Sequence, residues 1–136
     1  CKDVSPENAE SYIFGYTCAN DVTARDLQRL EDQWFRAKGF DTSLPLGPWI
    51  ETELAHDDLD ISSRINGKPV QMGNTSDMLV DVMNAVAMVS EIVTLLPGDV
   101  ILTGTPAGVT TVNHGDIVEI DIEGIGTLRN PVLRRG

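Results

Sequence analysis

The stretch Ile61-Ser62-Ser63-Arg64-Ile65-Asn66-Gly67-Lys68-Pro69-Val70-Gln71 reads as two extended arms about a two-residue turn. Asn-Gly accepts the positive φ that both central positions of a type I′ turn require, and that turn's twist matches paired strands. The reading places an antiparallel hairpin over Leu59 to Gln71. Pro69 has no N–H to give to a ladder, so the second arm is expected at a sheet edge. A second hairpin follows. Ile117 to Glu123 alternates apolar and acidic residues, Gly124-Ile125-Gly126 turns the chain, and Thr127 to Leu133 returns. Neighbouring hairpins argue against the strand–helix alternation of a parallel doubly wound sheet. The expected class is α+β, β-rich, with a few helices.

The helices are read from caps and periodicity. Ser5-Pro6-Glu7 starts one that runs to about Tyr12. Ile13 to Ala19 follows as a strand, ended by Asn20-Asp21, and Thr23 to Gln33 reads as helical. Arg36 to Leu54 carries Gly39, Pro45, Gly47 and Pro48, so a loop is expected there, with a short strand at Trp49 to Glu51. The clearest helix spans Asp77 to Leu95, where Leu79, Val82, Met83, Val86, Val89 and Val93 recur at helical steps. Pro97-Gly98-Asp99 stops it. Val100 to Thr103 then reads as a buried strand and Gly104-Thr105-Pro106-Ala107-Gly108 as a tight loop. No repeat or linker interrupts the 136 residues, and one domain over 1–136 is expected.

Composition narrows the function. Ten Lys and Arg face 21 Asp and Glu, a net charge of −11, which disfavours nucleic acid or an anionic membrane as partner. No apolar run reaches the length of a membrane span. The two cysteines, Cys1 and Cys18, form neither a disulfide framework nor a CxxC pair, and a reduced, cytoplasmic setting is expected. The chain begins at Cys1 rather than Met and is expected to be part of a longer polypeptide.

Three clusters could carry chemistry. Asn20-Asp21-Val22-Thr23-Ala24-Arg25-Asp26 follows an apolar strand. Asp21 there can ligate a hard cation and Arg25 can clamp a carboxylate; alternatively, Asp21 or Thr23 simply caps the next helix. Thr103-Gly104-Thr105-Pro106-Ala107-Gly108 offers backbone N–H groups and the Thr105 hydroxyl to an anionic oxygen, or is an ordinary turn. Lys38, between aromatic residues and a Pro/Gly loop, can stabilise a developing enolate, or lie on the surface. His56 and His114 read as solvated, Glu51-Thr52-Glu53 as an exposed acidic segment, and Met72, Met78, Met83 and Met88 as core filler.

Taken together, these strings resemble the fumarylacetoacetate hydrolase family. The matching segments are Gly15-Tyr16-Thr17, Asn20 to Gln28, Ala37 to Asp41, Leu46-Gly47-Pro48-Trp49, Asn66-Gly67, Asn74 to Met78, Leu95 to Val109, Gly115-Asp116 and Ile122 to Leu128. Order and spacing hold over nearly the whole chain. The resemblance implies a roll or sandwich of mixed β-sheets with a few helices, a homodimer, and a Mg²⁺ or Mn²⁺ site. Asp21 matches the family's metal-binding aspartate. Arg25 and Gln28 match substrate-contacting positions, Lys38 the lysine beside the substrate oxygen, and Gly104 and Thr105 the Thr-Gly-Thr-Pro loop. Thr75 lies in a string that commonly lines the pocket.

The implied substrate is a small anionic 2-oxo or 1,3-diketo acid. C–C bond hydrolysis is the first expectation, with 2-hydroxyhepta-2,4-diene-1,7-dioate isomerisation or oxaloacetate decarboxylation on the same site as alternatives. One departure matters. The family's Glu-x-Glu metal ligands and water-activating His are not in this sequence and would lie upstream of Cys1. A reading of another class follows from that departure: a non-catalytic dimerisation fragment.

Overall fold

The structure is a computed structural model that describes residues 1–134; positions 135–136 of the expected domain lie outside the described residues. In chain order the elements are α1 (Pro6–Ala9), β1 (Tyr16–Ala19), α2 (Arg25–Leu30), α3 (Phe35–Lys38), β2 (Leu46–Glu51), β3 (Asp60–Ile65), β4 (Lys68–Asn74), α4 (Val82–Ile92), β5 (Ile117–Ile122) and β6 (Gly126–Pro131). Short 3-10 turns cover Glu10–Tyr12 and Thr75–Asp77. The α+β, β-rich expectation holds, with both sheets antiparallel: β1 pairs with β2, and the larger sheet runs β4-β3-β5-β6.

The hairpin that decides the class forms as read. Asn66 and Gly67 take φ of 52° and 78°, and β4 with Pro69 sits at the edge of the larger sheet. Ser63 pairs with Gln71 but Arg64 pairs with Pro69, so Val70 is the extra residue of a bulge. The alternation of β5 sorts its two faces. Arg64, Glu119 and Arg129 stand opposite one another across β3, β5 and β6, with Arg64 and Arg129 both paired to Glu119. The other face carries Ile120 and Leu128 onto β1. There Cys18, Ile125 and Leu128 form a core cluster ringed by Tyr16, Leu54, Ile120 and Ile122.

A second, smaller cluster joins α1 to α4 through Val4, Ala9 and Val86. Its hub is polar. Ser90 is fully buried; its Oγ accepts from the Val4 N–H at 2.9 Å and donates to the Ala87 carbonyl at 2.8 Å. Ser90→Ala would leave the Val4 N–H buried without a partner, a loss of about 1–3 kcal/mol. Thermal unfolding is expected to show that loss, and Ser90→Thr, which keeps the hydroxyl, to show less of it.

Several expected elements are corrected. The strand read over Ile13 to Ala19 starts only at Tyr16, and Thr23 to Gln33 shortens to Arg25–Leu30. The expected loop holds α3 and a six-residue β2. The long helix begins at Val82, because Asp81 accepts the Asn84 N–H as its cap, while Thr75–Asp77 spends its bonds on a 3-10 turn. Leu79 therefore lies outside the helix and is exposed, as are Met72 and Met88, which are not core filler. Val100 to Thr103 is not a buried strand. It pairs with no described strand, and Val100 and Leu102 are exposed.

Much apolar surface stays unburied in this chain. The chain exposes 9474 Å², against roughly 7000 Å² for a folded protein of this mass by size scaling. Phe14, Leu30, Phe35, Leu79, Ile92 and Leu96 are among the exposed apolar side chains.

Candidate active site

Asp21 and Lys38 are 17 positions apart and meet because two connections are laced together. After β1, the Asn20 N–H donates to the Pro45 carbonyl at 3.2 Å and the Val22 N–H to the Ser43 carbonyl at 2.9 Å. The Ala24 N–H donates to the Ala37 carbonyl at 2.9 Å, and Ala37 is fully buried. Ser43, itself buried, closes the loop by donating from Oγ to the Lys38 carbonyl at 2.5 Å. This backbone lattice sets Lys38 Nζ against the Asp21 carboxylate as an ion pair, with Thr23 Oγ1 at 3.4 Å. Both side chains stay partly open to solvent, 34% for Lys38 and 39% for Asp21. A pair at that exposure contributes little to stability.

The capping alternative for Asp21 and Thr23 fails. Ala24 occupies the position before α2, without a side-chain cap, and Thr23 Oγ1 instead donates to the Asp21 carbonyl at 3.1 Å. On α2, Arg25 donates to Gln28 Oε1 at 2.7 Å.

The remaining candidates sit elsewhere. Thr105 lies in a loop laid along the β4 edge, where its Oγ1 accepts from Gln71 Nε2 at 2.8 Å. Gly104, at φ 99°, has open space where a side chain would stand. Gly108, at φ 104°, could carry no Cβ, because the Val70 carbonyl occupies that place. Thr75 closes the far end of β4: its Oγ1 accepts the Leu59 N–H at 2.9 Å. Among the described residues, no hydrogen bond or ion pair joins Thr75, Gly104 or Thr105 to the Asp21–Lys38 pair.

Thr75 also lines a cavity of about 260 Å³ with His56, Asp57, Ser76, Met78, Asp81 and Val82. His56 is therefore not the solvated residue the sequence suggests. Its Nδ1 pairs with Asp57 at 2.8 Å, its side chain is only 18% exposed, and its ring lies 5.2 Å from that of Tyr16. Burial, with Glu10 and Asp57 nearby, pushes the Tyr16 phenol up to about 12. Asp81 is held below the ordinary carboxyl range by the backbone and side-chain N–H groups of Asn84. Spacing alone carried no signal for this cavity, since His56 lies between β2 and β3 and Asp81 and Val82 at the start of α4. His114, by contrast, is exposed, as expected.

The donor set does not make a metal centre by itself. Among the described residues no three His, Cys, Asp or Glu side chains converge, and Asp21 offers one carboxylate that already faces an ammonium. A hard divalent cation needs more oxygen ligands than that.

The family described as Fumarylacetoacetate (FAA) hydrolase C-terminal matches residues 1–133. The crystal structure of 5-carboxymethyl-2-hydroxymuconate delta-isomerase from Mycobacterium smegmatis is 54% identical and superposes with a TM-score of 0.99, covering 100% of this chain and 54% of that one. Fumarylacetoacetate hydrolase from the psychrophilic Exiguobacterium antarcticum is 45% identical with a TM-score of 0.95, over 99% of this chain and 52% of the other. Oxaloacetate tautomerase fahd2, mitochondrial, of Xenopus laevis is 41% identical over 97% of this chain and 45% of its own length. The chain thus spans about half the length of the relatives it matches. The matched region takes in the larger sheet and the Asp21–Lys38 pair.

Proposed function

This chain belongs to the fumarylacetoacetate hydrolase family, and on that premise we propose that it forms part of a divalent-metal-dependent enzyme acting on small 2-oxo or 1,3-diketo carboxylic acids. The observation that carries the reading is the Asp21–Lys38 pair, held by backbone bonds rather than by its own attraction. An ammonium has three N–H groups. Asp21 and Thr23 face two of them, which leaves a donor for a substrate oxygen. A charge fixed in place before reaction stabilises an oxygen that becomes negative more effectively than water does.

Arg25 would orient the acid by its carboxylate, its fork braced by Gln28. The Thr105 hydroxyl would donate to an anionic oxygen, and Gly104 keeps the approach to the loop open. Thr75 would line a pocket with His56 and Asp81. Asp21 would be a ligand to Mg²⁺ or Mn²⁺, a cation that needs more oxygen ligands than the described residues bring together. Such a cation would supply Lewis acidity at the 2-oxo acid. The exposed apolar side chains fit burial against further polypeptide and a second copy in a homodimer. A cytoplasmic setting fits the two free cysteines.

In C–C hydrolysis, water adds to the distal carbonyl, the carbon–carbon bond breaks, and the electron pair passes to the 2-oxo fragment as an enolate that takes up a proton. Lys38 would face that enolate oxygen. A second reading, isomerase or tautomerase, is favoured by the relatives so named and needs the same enolate without water. Decarboxylation of an oxaloacetate-like acid would use it too. A panel of acylpyruvates, oxaloacetate and a 2-hydroxydienedioate, assayed on the full-length protein with and without Mg²⁺, separates these. Metal-dependent turnover of at least one is expected; no turnover of any would favour the non-catalytic dimerisation fragment.

A further inference from the structure

The Thr105 loop is held by one side chain that carries no role in the reading above. Gln71 stands on β4 opposite Ser63, at the edge of the bulge. Its Nε2 donates both to Thr105 Oγ1 at 2.8 Å and to the Pro106 carbonyl at 2.7 Å. Its Oε1 accepts from Ser63 Oγ at 2.9 Å, and Ser63 is buried at 5% exposure. Backbone packing fixes the same loop: Gly73 leaves room for the Pro106 ring, and Gly108 for the Val70 carbonyl.

The orientation of the Gln71 amide follows from its partners. A proline carbonyl can only accept, so the group facing the loop must be the –NH₂ end. Ser63 then satisfies the oxygen end from the buried side. With its two N–H groups shared between Thr105 and Pro106, Gln71 occupies an acceptor position of the Thr105 hydroxyl. It has nothing on that side that could accept the hydroxyl's own proton. No second partner for Thr105 Oγ1 occurs among the described residues.

We propose that Gln71 is a positioning residue that turns the Thr105 hydroxyl proton outward, so that Thr105 meets the substrate as a donor to an anionic oxygen. The proposal rests on the reading of Thr105 as a substrate contact. It deepens that reading by giving the site a polarity: the loop offers a donor to a carboxylate or enolate, with one of the hydroxyl's two acceptor positions already taken by Gln71.

Gln71→Glu tests it, because the carboxylate keeps the shape and reverses the polarity. It would accept the Thr105 proton and repel the Pro106 carbonyl. In the full-length enzyme Thr105→Val is expected to raise KM about tenfold, the worth of a hydrogen bond to a charged group, with kcat changed less. Gln71→Glu should raise KM at least as much, and Thr105→Ser should stay near wild type. The double variant should be no worse than Thr105→Val alone, since Gln71 acts through that hydroxyl. If Gln71→Glu melts early, Gln71→Met, which drops both N–H groups at similar length, replaces it; it leaves the hydroxyl free to rotate and is expected to raise KM, by less than Thr105→Val. Wild-type KM in the Gln71 variant beside an impaired Thr105→Val overturns the positioning role alone. So does a double variant whose penalties multiply, as a merely structural clamp would give. Wild-type KM in Thr105→Val removes the substrate contact and the positioning role together.

Discussion

Asp21→Ala in the full-length protein is expected to lower kcat/KM by about 10²- to 10³-fold, the loss seen when a preorganised charge is removed from a reaction centre. The fold should survive. Asp21 is partly exposed, its carboxylate makes one ion pair, and such pairs contribute at most about 1 kcal/mol. The position of the loop comes from the backbone bonds of Asn20, Val22 and Ala24, which the substitution leaves in place. The proposed metal role adds a second readout. Titration with Mn²⁺ should show weakened binding in the variant, and unchanged affinity would remove Asp21 from the ligand set whatever the kinetics.

Lys38→Ala is expected to cost a similar factor, about 10²- to 10³-fold in kcat, with KM less affected. The distinction matters because an ammonium that faces the enolate oxygen is needed most where charge develops. Lys38→Arg should not restore the rate: the planar guanidinium is larger and directs its donors differently, and Ser43 and Ala37 fix the backbone on which it would stand. Steady-state turnover of whichever acid the full-length protein accepts is the measurement. Wild-type rates in Lys38→Ala would take the lysine out of the mechanism. Because Asp21 and Lys38 touch, the double variant should lose less than the product of the single losses.

Local chemistry made the sheet legible. Asn66-Gly67 admits few conformations besides the turn it adopts, Pro69 is confined to an edge, and the acidic alternation of β5 can bury only one face. The misread elements are those whose fate depends on distant surface. Val100 to Thr103 has a strand's composition, but a strand exists only paired with another, and none of the described ones pairs with it. Leu79 fits the periodicity of the following helix, yet Asp81 makes the better cap and leaves it outside.

The site divides in the same way. Asp21, Arg25 and Lys38 stand in distinctive strings, so they could be named from the sequence, although the meeting of Asp21 and Lys38 depends on loop bonds no spacing encodes. Gln71 and His56 could not. Gln71 gains its partners from strand register and from a loop more than 30 positions away. His56 gains its burial from Tyr16 and the residues before α4.

A site that stabilises the enolate of a 2-oxo acid, whichever bond is then made or broken, labilises the protons next to the 2-oxo group. Exchange of the pyruvate methyl protons in D₂O, followed by proton NMR, reads enolate formation without requiring any particular product. Full-length protein with Mg²⁺ is expected to accelerate the exchange well above Mg²⁺ alone, and Lys38→Ala to return it to that background. Exchange no faster than the metal control with the wild-type protein would contradict that stabilisation.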